Sequence, residues 1–157
     1  MSFVVCVQQS CMCVSFSNST SACGCMSYPI SMFFGFFFAS TVGIENVTNA
    51  NIAGCTFATN FAEDEGGSLL AASVDVVRVV NCSFTGDRSD FIGGSIFFGN
   101  TGINSPQNAS VISSSFTNVS APEDGAISAF EYRSVNIESS DFVNCTGRDA
   151  ASMYSHL

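Results

Sequence analysis

The feature that most constrains this chain is a phrase that returns four times, each time ending in phenylalanine. GCTF ends at Phe57, NCSF at Phe84, SSSF at Phe116 and SSDF at Phe142. Five residues before each Phe stands a β-branched apolar residue (Ile52, Val79, Val111, Ile137), and two before it a small one (Cys55, Cys82, Ser114, Ser140). Two residues after it come Thr59, Gly86, Asn118 and Asn144. A second anchor follows in every copy: GGSL (66–69), GGSI (93–96), DGAI (124–127) and AASM (150–153). The interval from Phe to the last residue of that anchor is 12, 12, 11 and 11 residues, and from there to the next β-branched residue 10, 15 and 10. The five extra residues fit an insertion within 99–107, a stretch containing Gly, Asn and Pro that reads as a loop.

Apolar residues two apart point to one side of a strand. Val77/Val79, Cys82/Phe84 and Val135/Ile137 are such pairs, separated by short polar turns. A period of 26 to 32 residues with strands this short leaves no room for the helical crossovers of βαβ units. Helical repeats fail as well, because the copies lack a sustained 3.6 period and are rich in Ser, Asn, Thr and Gly. The pattern predicts an all-β fold, a right-handed parallel β-helix of about four to five coils over residues 44–157. Equivalent side chains of successive coils then stack about 4.8 Å apart. The expected result is a Phe ladder, an Ile/Val ladder and an Asn ladder at one turn.

Residues 1–43 read as an irregular N-terminal segment with a degenerate first coil. Cys11 lies five before Phe16, Asn18 lies two after it, and SMFFG (31–35) echoes SIFFG (95–99). The run 29–44 is uncharged but broken by Pro29, Gly35 and Gly43. A membrane span needs about 20 mostly apolar residues, so this run reads better as a buried solenoid strand. No basic region opens the chain, and its first cation is Arg78. Without an export signal or a terminal cap the chain reads as a fragment. Membrane attachment is expected only through the N-terminal segment or through sequence outside that given, and the uncapped last coil invites end-to-end stacking.

The alternation of small-x-Phe-x-Asn with Gly-Gly-small-apolar, as in SFTN (115–118), DFVN (141–144), GGSL, GGSI and DGAI, resembles the repeats of polymorphic outer membrane proteins. It is similar as well to β-helix repeats in large surface proteins of protists and algae, within the broader pectin-lyase-like superfamily. The resemblance covers about residue 44 to the end, and AASM departs from the double Gly. It implies a surface-exposed, adhesin-like passenger or stalk. Fold alone does not decide function.

Charge narrows the partners. Thirteen acids against four Arg give a net charge of −9, which excludes a nucleic-acid surface and disfavours anionic membranes. A carbohydrate or a host or cell-surface protein remains. Six sequons, at Asn18, Asn46, Asn81, Asn108, Asn118 and Asn144, point to a secreted or cell-surface glycoprotein.

Several groups invite chemistry. The acids Glu63, Asp64, Glu65, Asp87, Asp90, Glu123, Asp124 and Asp149 each follow their coil's Phe by three to eight residues, forming a candidate Ca²⁺ edge whose ligands would be Asp64, Glu123, Asp124 and Asp149. The plainer reading is a solvated acidic edge, partly neutralised by Arg88 and Arg148, with no cofactor. An enzyme alternative, a fragment of a polysaccharide lyase, hydrolase or epimerase, would pair Asp87 with Glu63 or Asp90. No catalytic residue follows from a signature, and the sole His, His156, reads as tail. Cys11, Cys13, Cys23 and Cys25 offer thiolates for zinc or for disulfides, but without C-x-x-C spacing. Cys55 and Cys82 read as inward small residues on adjacent coils, at a separation a disulfide would also accept. Tyr132 and Phe130 are candidate exposed rings for stacking on sugars, with burial an equally good reading of Phe130.

Overall fold

A computed structural model describes residues 3–7, 10–16, 42–45, 48–99, 107–149 and 153–156. An antiparallel hairpin, β1 (Phe3–Val7) and β2 (Ser10–Phe16), comes first, and β3 (Val42–Glu45) follows. The next turn carries β4 (Asn49–Ala53), β5 (Thr56–Ala58), β6 (Phe61–Ala62) and β7 (Leu69–Ala72). A second carries β8 (Val76–Val80), β9 (Ser83–Thr85), β10 (Arg88–Ser89) and β11 (Ile96–Gly99), and a third β12 (Asn108–Ile112), β13 (Ser115–Thr117) and β14 (Ile127–Phe130). On their far side pair β15 (Ser134–Glu138), β16 (Asp141–Val143) and β17 (Met153–His156). The described residues contain no helix, and their parallel sheets form a β-solenoid of about three turns.

Three longer sheets line the tube, β4-β8-β12-β15 (continued by β2 and β1), β5-β9-β13-β16 and β3-β7-β11-β14-β17, and β6 pairs with β10 in a fourth, two-stranded one. Their register is the one the repeat dictates. Ile52, Val79, Val111 and Ile137 pair in line, as do Phe57, Phe84, Phe116 and Phe142, and Leu69, Ile96, Ile127 and Met153. The insertion between Gly99 and Asn108 shifts nothing: pairing resumes with Asn108 opposite Val76.

The core follows from strand alternation. Ala50/Ile52, Val77/Val79 and Ala109/Val111 turn inward and are buried. The Phe ladder runs through the tube with ring centroids 4.7, 4.7 and 4.8 Å apart and planes within 4° of parallel. Burying each ring contributes roughly 1.5–3 kcal/mol, and stacking adds to that.

The corners are built from single left-handed residues. Gly54, Asn81, Ser113 and Ser139 (φ 50 to 63°) turn the chain ahead of each Phe strand. Thr59, Gly86, Asn118 and Asn144 (φ 53 to 66°) turn it afterwards. Asn and Gly enter this region at least cost, which explains why they recur two residues after the Phe. The expected Asn ladder is present, with Asn144 Nδ2 donating to Asn118 Oδ1 at 3.3 Å.

Two features differ from expectation. The hairpin strand β2, which holds the Cys11-to-Phe16 part of the degenerate first coil, runs antiparallel to β4, pairing Val14 with Ile52 and Phe16 with Ala50. A coil would lay it parallel. Tyr132 is not an exposed ring but is buried, 1% accessible, with its hydroxyl donating to the Val74 carbonyl at 3.2 Å. Its length carries it past Phe98, 5.6 Å away, towards a corner two turns back. Phe130, by contrast, is 44% exposed. Of the run 29–44, Val42 and Ile44 are buried in β3 and residues 29–41 lie outside the described residues. Among the described residues no helix is long and apolar enough to cross a membrane.

Candidate binding faces

The solenoid presents its three sheets unequally. Outward positions of β7, β11 and the start of β14 are covered, with Leu70, Ala72, Phe97 and Ser128 buried, and exposure on this sheet comes at Phe130, where β14 ends. The outer sides of the other two sheets are open. On one, Asn51, Arg78, Ser110 and Asn136 stand in register, flanked by Asn108 and Ser134, whose side chains bond at 2.8 Å. On the other, Thr56, Ser83, Ser115 and Asp141 form one row and Ala58, Thr85, Thr117 and Val143 the next. Ser115 Oγ donates to Ser83 Oγ at 3.3 Å. The first face sets its amides and hydroxyls beside a less polar row, Ala53, Val80, Ile112 and Glu138, and the second is mainly hydroxyl; both repeat at the coil spacing.

An aromatic corner adjoins the second face. Phe61 pairs with Arg88 across β6 and β10, and the Arg88 guanidinium lies 5.1 Å from the Phe61 ring centroid. Arg88 also bonds Asp90 at 2.6 Å. Phe61 and Phe91 are 42% and 48% exposed.

The acids have unlike surroundings, although Asp64, Glu123 and Asp149 recur at one place on the turns. Asp87 points into the tube and is fully buried. Its carboxylate accepts from the Asn60 backbone N–H at 3.0 Å, from Asn60 Nδ2 at 3.1 Å and from the Ser95 hydroxyl at 3.1 Å. Burial raises its pKa, opposed by these bonds and by the Ser68 hydroxyl. Nothing in the spacing of the acids marks this interior clamp between turns; its signal in the sequence is the recurring Ser of the GGS phrase. Asp124 is buried and accepts the Ser128 hydroxyl at 2.7 Å. Glu123 pairs with Arg148, and Asp149 lies 3.7 Å from the same guanidinium. Asp64 stands apart from these. The intervening turn puts Phe91 and Ile92 at that level, with Ile92 bridging Glu65 and Phe91 accepting from the Glu123 N–H. Two coil steps of about 4.8 Å therefore separate Asp64 from Glu123. Among the described residues no group of three or more His, Cys, Asp or Glu stands together as a metal-holding cluster.

Glu65 is the acid most perturbed by its surroundings. One carboxylate oxygen is buried without a hydrogen-bond partner, and desolvation, with the Asp64 charge, pushes its pKa up to about 7 from an ordinary 4.5. Between those values the folded chain holds a proton that the unfolded chain has released, so stability falls as pH rises through the window. Glu65→Gln is expected to flatten that slope and to stabilise the chain above pH 7 by roughly 1–2 kcal/mol. Urea midpoints at pH 5 and pH 8 check this, the gain appearing at pH 8.

Of the sequons, Asn81, Asn118 and Asn144 sit exposed at left-handed corners, Asn108 is half-buried, and Asn18 and Asn46 lie outside the described residues. Cys23, Cys25 and the side chains of Cys11 and Cys13 also lie outside them. No protein-family model, curated protein or solved structure matches the chain. The resemblance to surface β-helix repeats therefore rests on the repeat phrases themselves.

Proposed function

We propose that the chain is a segment of a right-handed parallel β-helix of four to five coils that acts without chemistry of its own. In this reading it is an adhesin-like surface, secreted or at the cell surface, that presents stacked strand faces for binding or display. The observation that carries it is the pair of open faces, one with a row of amides and hydroxyls and one with rows of hydroxyls, each repeating at one coil spacing. A partner with its own short repeat can engage such rows many times over, each contact weak and the sum firm. The exposed rings of Phe61, Phe91 and Phe130 favour a polysaccharide, whose sugar faces stack on aromatics while its hydroxyls meet Asn, Ser and Thr. The sequons at Asn81, Asn118 and Asn144 support an exported glycoprotein.

The enzyme alternative loses its central acid, because a polymer cannot reach Asp87 inside the tube. Its companion Asp90 is engaged by Arg88. The test is native electrophoresis through gels containing polygalacturonate, alginate or a neutral β-glucan, alongside incubations read by product absorbance and reducing ends. Retardation by at least one polymer without turnover is expected. Turnover of any polymer sinks the passive reading, and migration unchanged in all of them sinks the polysaccharide.

A further inference from the structure

Cys55 and Cys82 hold the small inward position two residues before Phe57 and Phe84. Register on both sides stacks one over the other: Ile52 pairs with Val79, Phe57 with Phe84, and the Ser83 N–H donates to the Cys55 carbonyl at 2.8 Å. The neighbouring rings lie 4.7 Å apart, which measures the coil step at this point. That step falls within the Cα separation of about 4.4–6.8 Å that disulfides accept. Both residues sit at a corner rather than mid-strand, where small backbone shifts can bring the β-carbons closer. Both are free thiols with side chains 2% and 3% exposed; the Cys55 thiol donates to the Ala53 carbonyl at 3.2 Å and the Cys82 thiol to the Val80 carbonyl at 3.4 Å.

The later turns show what the position requires. Ser114 and Ser140 stand there, and each hydroxyl accepts an N–H from the turn before, from Cys82 at 3.1 Å and from Ser114 at 3.1 Å. A hydroxyl meets the structural need, yet two adjacent turns carry sulfur instead. Cys145 stands three residues after Phe142, off this column.

We propose that Cys55 and Cys82 form a modification site, closing a disulfide that rivets the first turn to the second when a small-molecule disulfide such as oxidised glutathione is present. A thiolate of the pair attacks the glutathione disulfide, expelling one glutathione thiol, and the second cysteine attacks the mixed disulfide, expelling the other. Two S–H bonds are lost and one S–S bond forms, while the two electrons and two protons reduce one glutathione disulfide to two thiols. Exchange takes place as the turns pair, before burial shuts the sulfurs away. The site is independent of what the outer faces bind.

The test uses the whole chain, refolded in a glutathione redox buffer, blocked with N-ethylmaleimide and digested unreduced with trypsin and a Glu-specific protease. Cleavage at Arg78 and Arg88 frees residues 79–88, whose one cysteine is Cys82; cleavage at Glu45 and Glu63 frees 46–63, whose one cysteine is Cys55. The expected product is 46–63 joined to 79–88, two hydrogens lighter than the separate peptides and parted by reductant. Reduction should lower the melting temperature of the oxidised protein by about 10 °C, a drop that shrinks in the Cys55→Ser/Cys82→Ser variant. Recovery of both peptides singly, each carrying maleimide, overturns the proposal, as does either sulfur joined to another cysteine. Should the double variant not fold, the peptide map of the unsubstituted chain decides.

Discussion

Phe84→Ala is expected to lower the unfolding free energy by about 4 kcal/mol, a large share of what a domain of this size has to lose. The ring is wholly buried, with Phe57 stacked on one side and Phe116 on the other, each 4.7 Å away. Removing it strips transfer energy from Phe84 itself and opens a void that two neighbours line. Neither neighbour can settle into that void, because the ladder hydrogen bonds fix the separation between turns. Phe142 provides the internal control. It occupies the equivalent place but is only half-buried, and its one ring partner in the ladder is Phe116. Phe142→Ala should cost roughly 1–2 kcal/mol. Urea titrations followed by circular dichroism measure both, and equal losses at the two positions would show that the stack is not cooperative along the tube.

Gly94→Ala should be nearly as damaging, about 3 kcal/mol, although it adds only a methyl group. The second Gly of the GGS phrase lies where the chain of one turn passes close to the next. A β-carbon on Gly94 would stand 2.5 Å from the Ser120 carbonyl oxygen and 2.7 Å from that of Gly125. Both obstacles are backbone, held by ladder bonds such as Gly94 N–H to the Gly125 carbonyl at 2.7 Å, so relief requires the turns to move apart. Gly54→Ala is the matched comparison. No atom lies within 4 Å of its added carbon, and only the left-handed backbone at φ +63° opposes the change. That costs about 1–2 kcal/mol. The ratio of the two losses, read from thermal or urea unfolding, separates crowding from backbone preference.

Both predictions rest on parts of the fold that were legible in the sequence. Aligning four Phe phrases put Ile52, Val79, Val111 and Ile137 in one column, and the strand register has them so. The extra residues after Gly99 leave that register unchanged, since pairing resumes with Asn108 opposite Val76. What escaped was information that repeats do not encode. Strand direction is one such property: Cys11, Phe16 and Asn18 imitate the spacing of a coil, but spacing reads alike for a strand running the other way, as β2 does. The direction in which a long side chain leaves its corner is another. Tyr132 follows an exposed Phe130 and a charged Glu131, so it looked like a surface ring, yet it lies along the tube with its hydroxyl satisfied inside.

The candidate sites were less legible than the fold. Asp87 resembled the other loop acids, and only the hydroxyls and amide gathered around it from neighbouring positions reveal an interior carboxylate. Asp64 and Glu123 stand at equivalent places, as their spacing from each Phe implies, but the turn between them carries Phe91 and Ile92 there, so the two acids are not neighbours. His156 reads as tail from its place in the sequence, yet its backbone pairs with Phe130 in β17.

The ladder bonds of the solenoid join residues of different turns, Ser83 to Cys55 or Asp141 to Ser114 among them. A turn emerging from the ribosome therefore has no partner until most of the next one has followed it, and it waits with its phenylalanine in water. Growth of the structure should proceed by each new winding adding to an edge already laid down, with the first pairing the slow event. Order of synthesis thus becomes part of how the chain avoids pairing with the wrong neighbour.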